Sequence, residues 1–95
     1  MKELITCKFT LGRTVATPGA LRLLEEAGQG PAEFLNRHHR GDWGDVCGED
    51  GEANDHALKS GGRLLSVYRT SQGAEIWIIT EADRSATTLL LPDDY

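Results

Sequence analysis

The residues Arg63-Leu64-Leu65-Ser66-Val67-Tyr68-Arg69-Thr70, followed after Ser71-Gln72-Gly73 by Ala74-Glu75-Ile76-Trp77-Ile78-Ile79-Thr80-Glu81, decide the fold. Both segments are rich in β-branched and aromatic residues, which suit a pleated, half-buried surface, and the loop between them has hairpin length. They read as paired strands. Ile76-Trp77-Ile78-Ile79 carries apolar residues on both faces, which marks a central strand with Trp77 either under a helix or on an exposed patch. Asp83-Arg84-Ser85 then turns the chain into a third strand over residues 86–91, which Pro92 closes before an exposed acidic end.

Working upstream, residues 4–11 alternate, with Ile5, Cys7, Phe9 and Leu11 on one side and Thr6, Lys8 and Thr10 on the other. This predicts a half-buried strand, interrupted at Gly12 before a second short extended piece over residues 13–16. Thr17-Pro18 starts a helix, because threonine can cap orphan amides and proline tolerates the first helical position. That helix runs to about residue 27, with Leu21 and Leu24 inward, Ala20 and Ala27 as candidates for the same stripe, and Gly28 as the stop. Pro31 restarts a helix that Gly41 ends, with Phe34, Leu35 and His38 as candidates for its inner face, Glu33 in its first turn and Arg37, His38, His39 and Arg40 in its last, as the helix dipole favours. In residues 42–60 the glycines at 44, 48 and 51 discourage a continuous helix, each by about 1 kcal/mol relative to alanine. The expectation there is a turn over residues 41–44, partial helix over 45–50, and a short helix over 54–59.

The order of elements gives one α+β domain covering residues 1–95. An antiparallel sheet of about four strands, the N-terminal strand plus a C-terminal three-strand meander, carries two to three helices on one face. The first strand is expected at an edge of the meander, since alone it would leave its ladder groups unpaired. A chain of 95 residues supports one modest core. With no apolar run long enough to span a bilayer and no signal-like start, the reading is a cytoplasmic protein with no membrane partner. Cys7 and Cys47 lack CxxC spacing, so Cys7 reads as a small buried hydrophobe and Cys47 as a free thiol.

Fifteen acids against ten basic residues give a formal charge of −5, a field that repels phosphate backbones and disfavours direct nucleic-acid binding. Six of those acids, Asp42, Asp45, Glu49, Asp50, Glu52 and Asp55, crowd into residues 42–55 with no Lys or Arg among them. Gathered carboxylates suit Ca²⁺ or Mg²⁺, but an EF-hand begun at Asp50 would need glycine at position 55 and glutamate at position 61, where Asp55 and Gly61 stand. No metal and no cofactor is therefore assigned. The segment reads instead as a protein-binding surface in which Asp42, Asp45 and Asp50 steer a basic partner and Trp43 anchors it. The bland alternative has Trp43 covering the core while Asp42 and Asp45 fix turns.

His38, His39 and Arg40 offer acid–base groups and a cation, the minimum for metal-independent RNA cleavage, although adjacent helical residues point about 100° apart. Zinc ligation by His38 or His39 with Cys47 and His56 lacks paired-ligand spacing. Arg84 joins the candidate binding residues as a charge at a hairpin, where fixing the turn is the plainer role.

The stretches Val15-Ala16-Thr17-Pro18-Gly19-Ala20-Leu21, Arg40-Gly41-Asp42-Trp43-Gly44-Asp45 and Trp77-Ile78-Ile79-Thr80-Glu81-Ala82-Asp83-Arg84-Ser85 resemble a family of small bacterial proteins without an assigned activity. Members are often carried on plasmids and other mobile elements. The likeness spans nearly the whole chain and implies a cytoplasmic accessory of mobile DNA, but it transfers no catalytic residue. The leading expectation is a non-enzymatic interaction module with a basic protein partner. The alternative is a small metal-independent ribonuclease of the toxin class, and homodimerisation is left open.

Overall fold

A computed structural model describes residues 7–95. The elements run β1 (Arg13–Ala16), α1 (Pro18–Ala27), α2 (Pro31–His39), α3 (Gly48–Ser60), β2 (Leu64–Arg69), β3 (Glu75–Thr80) and β4 (Ala86–Leu90), closed by a 3-10 turn at Pro92–Asp94. The four strands form one sheet in the order β1-β4-β3-β2. β2, β3 and β4 make the expected antiparallel meander, with Val67 opposite Trp77 and Trp77 opposite Leu90. β1 lies at the edge but runs parallel to β4, so the sheet is mixed.

The predicted first strand needs correction. Residues 4–6 lie outside the described part of the chain, and residues 7–11 form no strand. Gly12 explains why the chain enters the sheet only at Arg13. Its φ of +68° is left-handed, and a Cβ there would collide with the backbone of Arg84 and Ser85 in the β3–β4 turn. Before it, the chain crosses the end of α2: the Lys8 amide donates to the His39 carbonyl at 3.0 Å, and Phe9 packs edge-on to His38 and His39. Cys7 is exposed rather than buried, and Cys47 is also exposed; neither forms a disulfide.

Local chemistry accounts for the helices. Thr17 Oγ1 accepts the Ala20 amide at 3.2 Å, Pro18 occupies the first turn, and Gly28 ends α1 at φ +69°. α2 begins after Gly30 and carries its basic residues in the last turn. α3 is longer than the glycines suggested, because Asn54 and Ala57 are buried against the sheet and acidic Glu49 and Asp50 favour its N-terminus. Tertiary contact outweighs the propensity cost of Gly48 and Gly51.

Alternation along the strands sorts the two faces of the sheet. Leu64, Ser66, Tyr68, Ile76, Ile78, Thr80, Thr87 and Leu89 are buried on the helix-covered side. The main core joins Ile76, Ile78, Leu89 and Tyr68 to Ala20 and Leu24 of α1 and Phe34 of α2. A second cluster joins Leu64 to Ala57 of α3, Trp43 and Phe9. Trp77 lies on the other face, half-buried beside Tyr95, with ring centroids 5.7 Å apart. Among the described residues, no helix is long and apolar enough to cross a membrane.

Candidate functional site

The acidic segment does two different jobs along its length. Its first part seals the outer edge of β2. The Val67 amide donates to the Trp43 carbonyl at 3.0 Å, and the Asp45 amide donates back to the Val67 carbonyl at 2.6 Å, so that residues 43–45 act as a short parallel partner. Gly44 is required there, since its φ is +74° and a Cβ would strike the Val67 carbonyl and the Tyr68 ring. One step along, Asn54 imitates a strand: its Oδ1 accepts the Leu65 amide at 3.0 Å and its Nδ2 donates to the Leu65 carbonyl at 2.7 Å.

Asp42 is tied into this seal. Arg37 Nε donates to Asp42 Oδ2 at 2.7 Å, the Gly44 amide donates to Asp42 Oδ1, and the Tyr68 hydroxyl donates to the Asp42 carbonyl. The Arg37 guanidinium also lies over the Tyr68 ring, 4.5 Å from its centroid. The Arg37 hydrogen bond holds the Asp42 carboxyl below its ordinary range, and the same bond raises Arg37. Asp45 makes a looser exposed pair with Arg69 at 3.7 Å. Trp43 is only 9% exposed; its indole stacks near Phe9 and donates to Asp55 Oδ1 at 3.2 Å. A side chain held this way is part of the core and is not presented to a partner as an anchor.

The second part of the segment, on α3, is different. Glu49, Asp50 and Glu52 are exposed, and no ion pair or hydrogen bond holds their side chains among the described residues. The six carboxylates do not converge: among the described residues, no group of three His, Cys, Asp or Glu side chains could hold a metal ion.

Arg84 is equally committed to structure. Its guanidinium donates to the carbonyls of Gly62, Glu81, Ala82 and Ala57, the last at the C-terminal end of α3. Its own backbone takes φ +62°, an uncommon conformation for a residue with a Cβ. The residue joins the α3–β2 connection to the β3–β4 turn.

The feature that sequence reading missed lies beneath the sheet. His38 is fully buried, with Nδ1 against Ser66 Oγ at 2.5 Å and Nε2 against Thr80 Oγ1 at 2.8 Å. Thr80 Oγ1 continues to Thr87 Oγ1 at 2.7 Å, and Thr87 donates to the Leu11 carbonyl at 2.7 Å. For a neutral imidazole, hydrogen counting fixes every direction in this string. The carbonyl takes the single Thr87 proton, so Thr80 donates to Thr87 and must accept from Nε2–H, leaving Nδ1 to accept from Ser66. Burial first, then the neighbouring His39 and Arg84, pushes the imidazole down to about 3, so it is neutral at ordinary pH. The available signal was the inward period-2 position of Ser66, Thr80 and Thr87, where an apolar core would have carried Val or Ile.

No family model matches the chain, and neither a curated protein nor a solved structure matches it.

Proposed function

We propose that the protein is a non-enzymatic interaction module that offers the acidic face of α3 to a basic protein partner. The observation that carries this reading is that Glu49, Asp50 and Glu52 stand exposed on one helix with no partner among the described residues, whereas Asp42 and Trp43 are engaged in holding the fold and Asp45 sits loosely beside Arg69. Uncommitted carboxylates on a rigid element steer a cationic surface and set association rate and salt dependence. The interaction residues of this reading therefore centre on Asp50 and its helical neighbours, with Trp43 and Arg84 as supports. In keeping with the resemblance to mobile-element proteins, the module acts in the cytoplasm as an accessory of mobile DNA.

A metal-independent ribonuclease would need His38 or His39 beside Arg84 or Arg69 on one open surface. His38 is wholly buried and Arg84 is taken up by backbone carbonyls, which weighs toward binding. The test replaces Glu49, Asp50 and Glu52 with Gln, Asn and Gln and compares bacterial proteins captured by the two forms at low and at high salt. Partners held by wild type at low salt, released by salt and missed by the triple variant are expected. Identical capture by both forms overturns the reading.

A further inference from the structure

The two edges of the sheet are built differently. β2 is sealed by residues 43–45 and Asn54, while β1 is the last strand at the other side. The Arg13 amide donates to the Ser85 carbonyl at 3.0 Å and the Thr17 amide to the Leu89 carbonyl at 2.9 Å. Backbone groups alternate sides along a strand, so Arg13, Val15 and Thr17 bond to β4, and the amides and carbonyls of Thr14 and Ala16 point outward. Among the described residues, no strand pairs with that edge. Beside it lies a mostly apolar groove of about 280 Å³, where Thr14, Val15 and Ala16 of β1 meet Leu21, Pro31, Leu35 and Leu89. Leu21, 47% exposed, borders this groove on the helix side, and Val15, 43% exposed, turns its side chain to the opposite face of the strand.

We propose that β1 pairs antiparallel with β1 of a second copy, joining two sheets into one continuous eight-stranded sheet about a two-fold axis at Val15. The register follows from the outward groups. Thr14 must face Ala16 of the second copy, and the reverse, because hydrogen-bonded antiparallel pairs exchange both bonds. That register makes Val15 meet its own mate as a close non-hydrogen-bonded pair. Both Val15 side chains lie on the outer face, since Ala16 packs into the core on the inner face. An exposed β-branched residue thereby gains an apolar cross-strand neighbour.

The same register is favourable in charge. Arg13 comes opposite Thr17 of the second copy, whose hydroxyl holds the exposed Asp94 carboxylate at 2.6 Å. A guanidinium is thus brought to a carboxylate twice, once on each side of the axis. Because the axis is perpendicular to the sheet, the helix layers stay on one side and Leu21 and the groove face their mates. A two-fold contact needs this kind of self-complementary surface. An edge of four residues with flanking leucines falls near the low end of specific interfaces, below about 1,200 Å² in total, so association in the micromolar range is expected.

Sedimentation of the full chain from about 1 μM to about 1 mM tests this, with a reversible monomer–dimer equilibrium expected. Val15→Lys places two ammonium groups across the axis and weakens dimerisation roughly a hundredfold or more, while circular dichroism stays unchanged because the site is exposed. In a Cys7→Ser/Cys47→Ser background, Val15→Cys forms an intermolecular disulfide under mild oxidation, since close-pair Cβ atoms lie within reach of one. A monomer at every concentration assigns the edge to some other occupant and overturns the proposal. A dimer that Val15→Lys leaves intact, or a Val15→Cys variant that stays uncrosslinked in a dimer, places the contact elsewhere and overturns it too.

Discussion

Mild acidification should weaken this protein through His38 before the hydrogen-bonded Asp42, Asp83 and Asp94 come into play. The imidazole titrates near 6.5 when exposed and at about 3 in the buried string. Between those values the unfolded chain holds a proton that the native state lacks, so stability is complete above pH 6.5 and falls as pH drops toward 3. The slope approaches about 1.4 kcal/mol per pH unit, which integrates to about 2 kcal/mol at about pH 5. That is a large share of the roughly 5–15 kcal/mol typical of a domain. Asp42, Asp83 and Asp94 are all held below the ordinary carboxylate value of 3.8 by hydrogen bonds, so the stability they contribute is lost only as pH falls through that value and beyond, well under about pH 5. Urea unfolding at about pH 7.5 and about pH 5 reads the difference directly, and His38→Gln, weaker throughout by about 1–3 kcal/mol, should lose most of the pH slope. Equal stability of wild type at the two pH values, or an undiminished slope in His38→Gln, would refute the assignment of a neutral, closed imidazole.

Substitutions at two further positions test the scaffold around the candidate site. Asn54→Ala strips both partners from Leu65 at the edge of β2 and should cost about 1–3 kcal/mol by urea unfolding, with faster hydrogen exchange at the Leu65 amide. Arg84→Ala should cost about 2–3 kcal/mol by the same measurement, and Lys should rescue it poorly because a point charge cannot span carbonyls from separate segments. Arg84→Gly loses the same guanidinium but relieves the left-handed backbone, so it should be more stable than Arg84→Ala by about 1 kcal/mol.

The meander was legible because its cause is local: β-branched runs broken by Gly73 and by Asp83-Arg84-Ser85 leave few alternatives. The starts of α1 and α2 were legible for the same reason, in Thr17-Pro18 and Pro31. The alternation misled over residues 7–11, since inward apolar residues serve equally well against the end of a helix, where Phe9 meets His38 and Trp43. A parallel β1 could not be read either, because direction in a sheet is set by the crossover through the helices and not by strand composition. In the acidic segment, composition was visible but commitment was not. Asp42 and Asp50 look alike in sequence, yet one is held by Arg37, 2.7 Å away, and the other faces water. His38 was read both as a candidate for the inner face of α2 and as a terminal helix charge, and the convergence of β2, β3 and β4 over it makes it a core residue.

The seal on β2 has a consequence for assembly. Residues 43–45 and Asn54 occupy the backbone valences that a further strand would need, much as a blocked end-group terminates a growing chain. A sheet with both borders open is bifunctional and can add copies without limit, the route to fibres. With one border blocked the sheet of the described residues is monofunctional: any coupling through the other border consumes the open end it has on each side and stops at two.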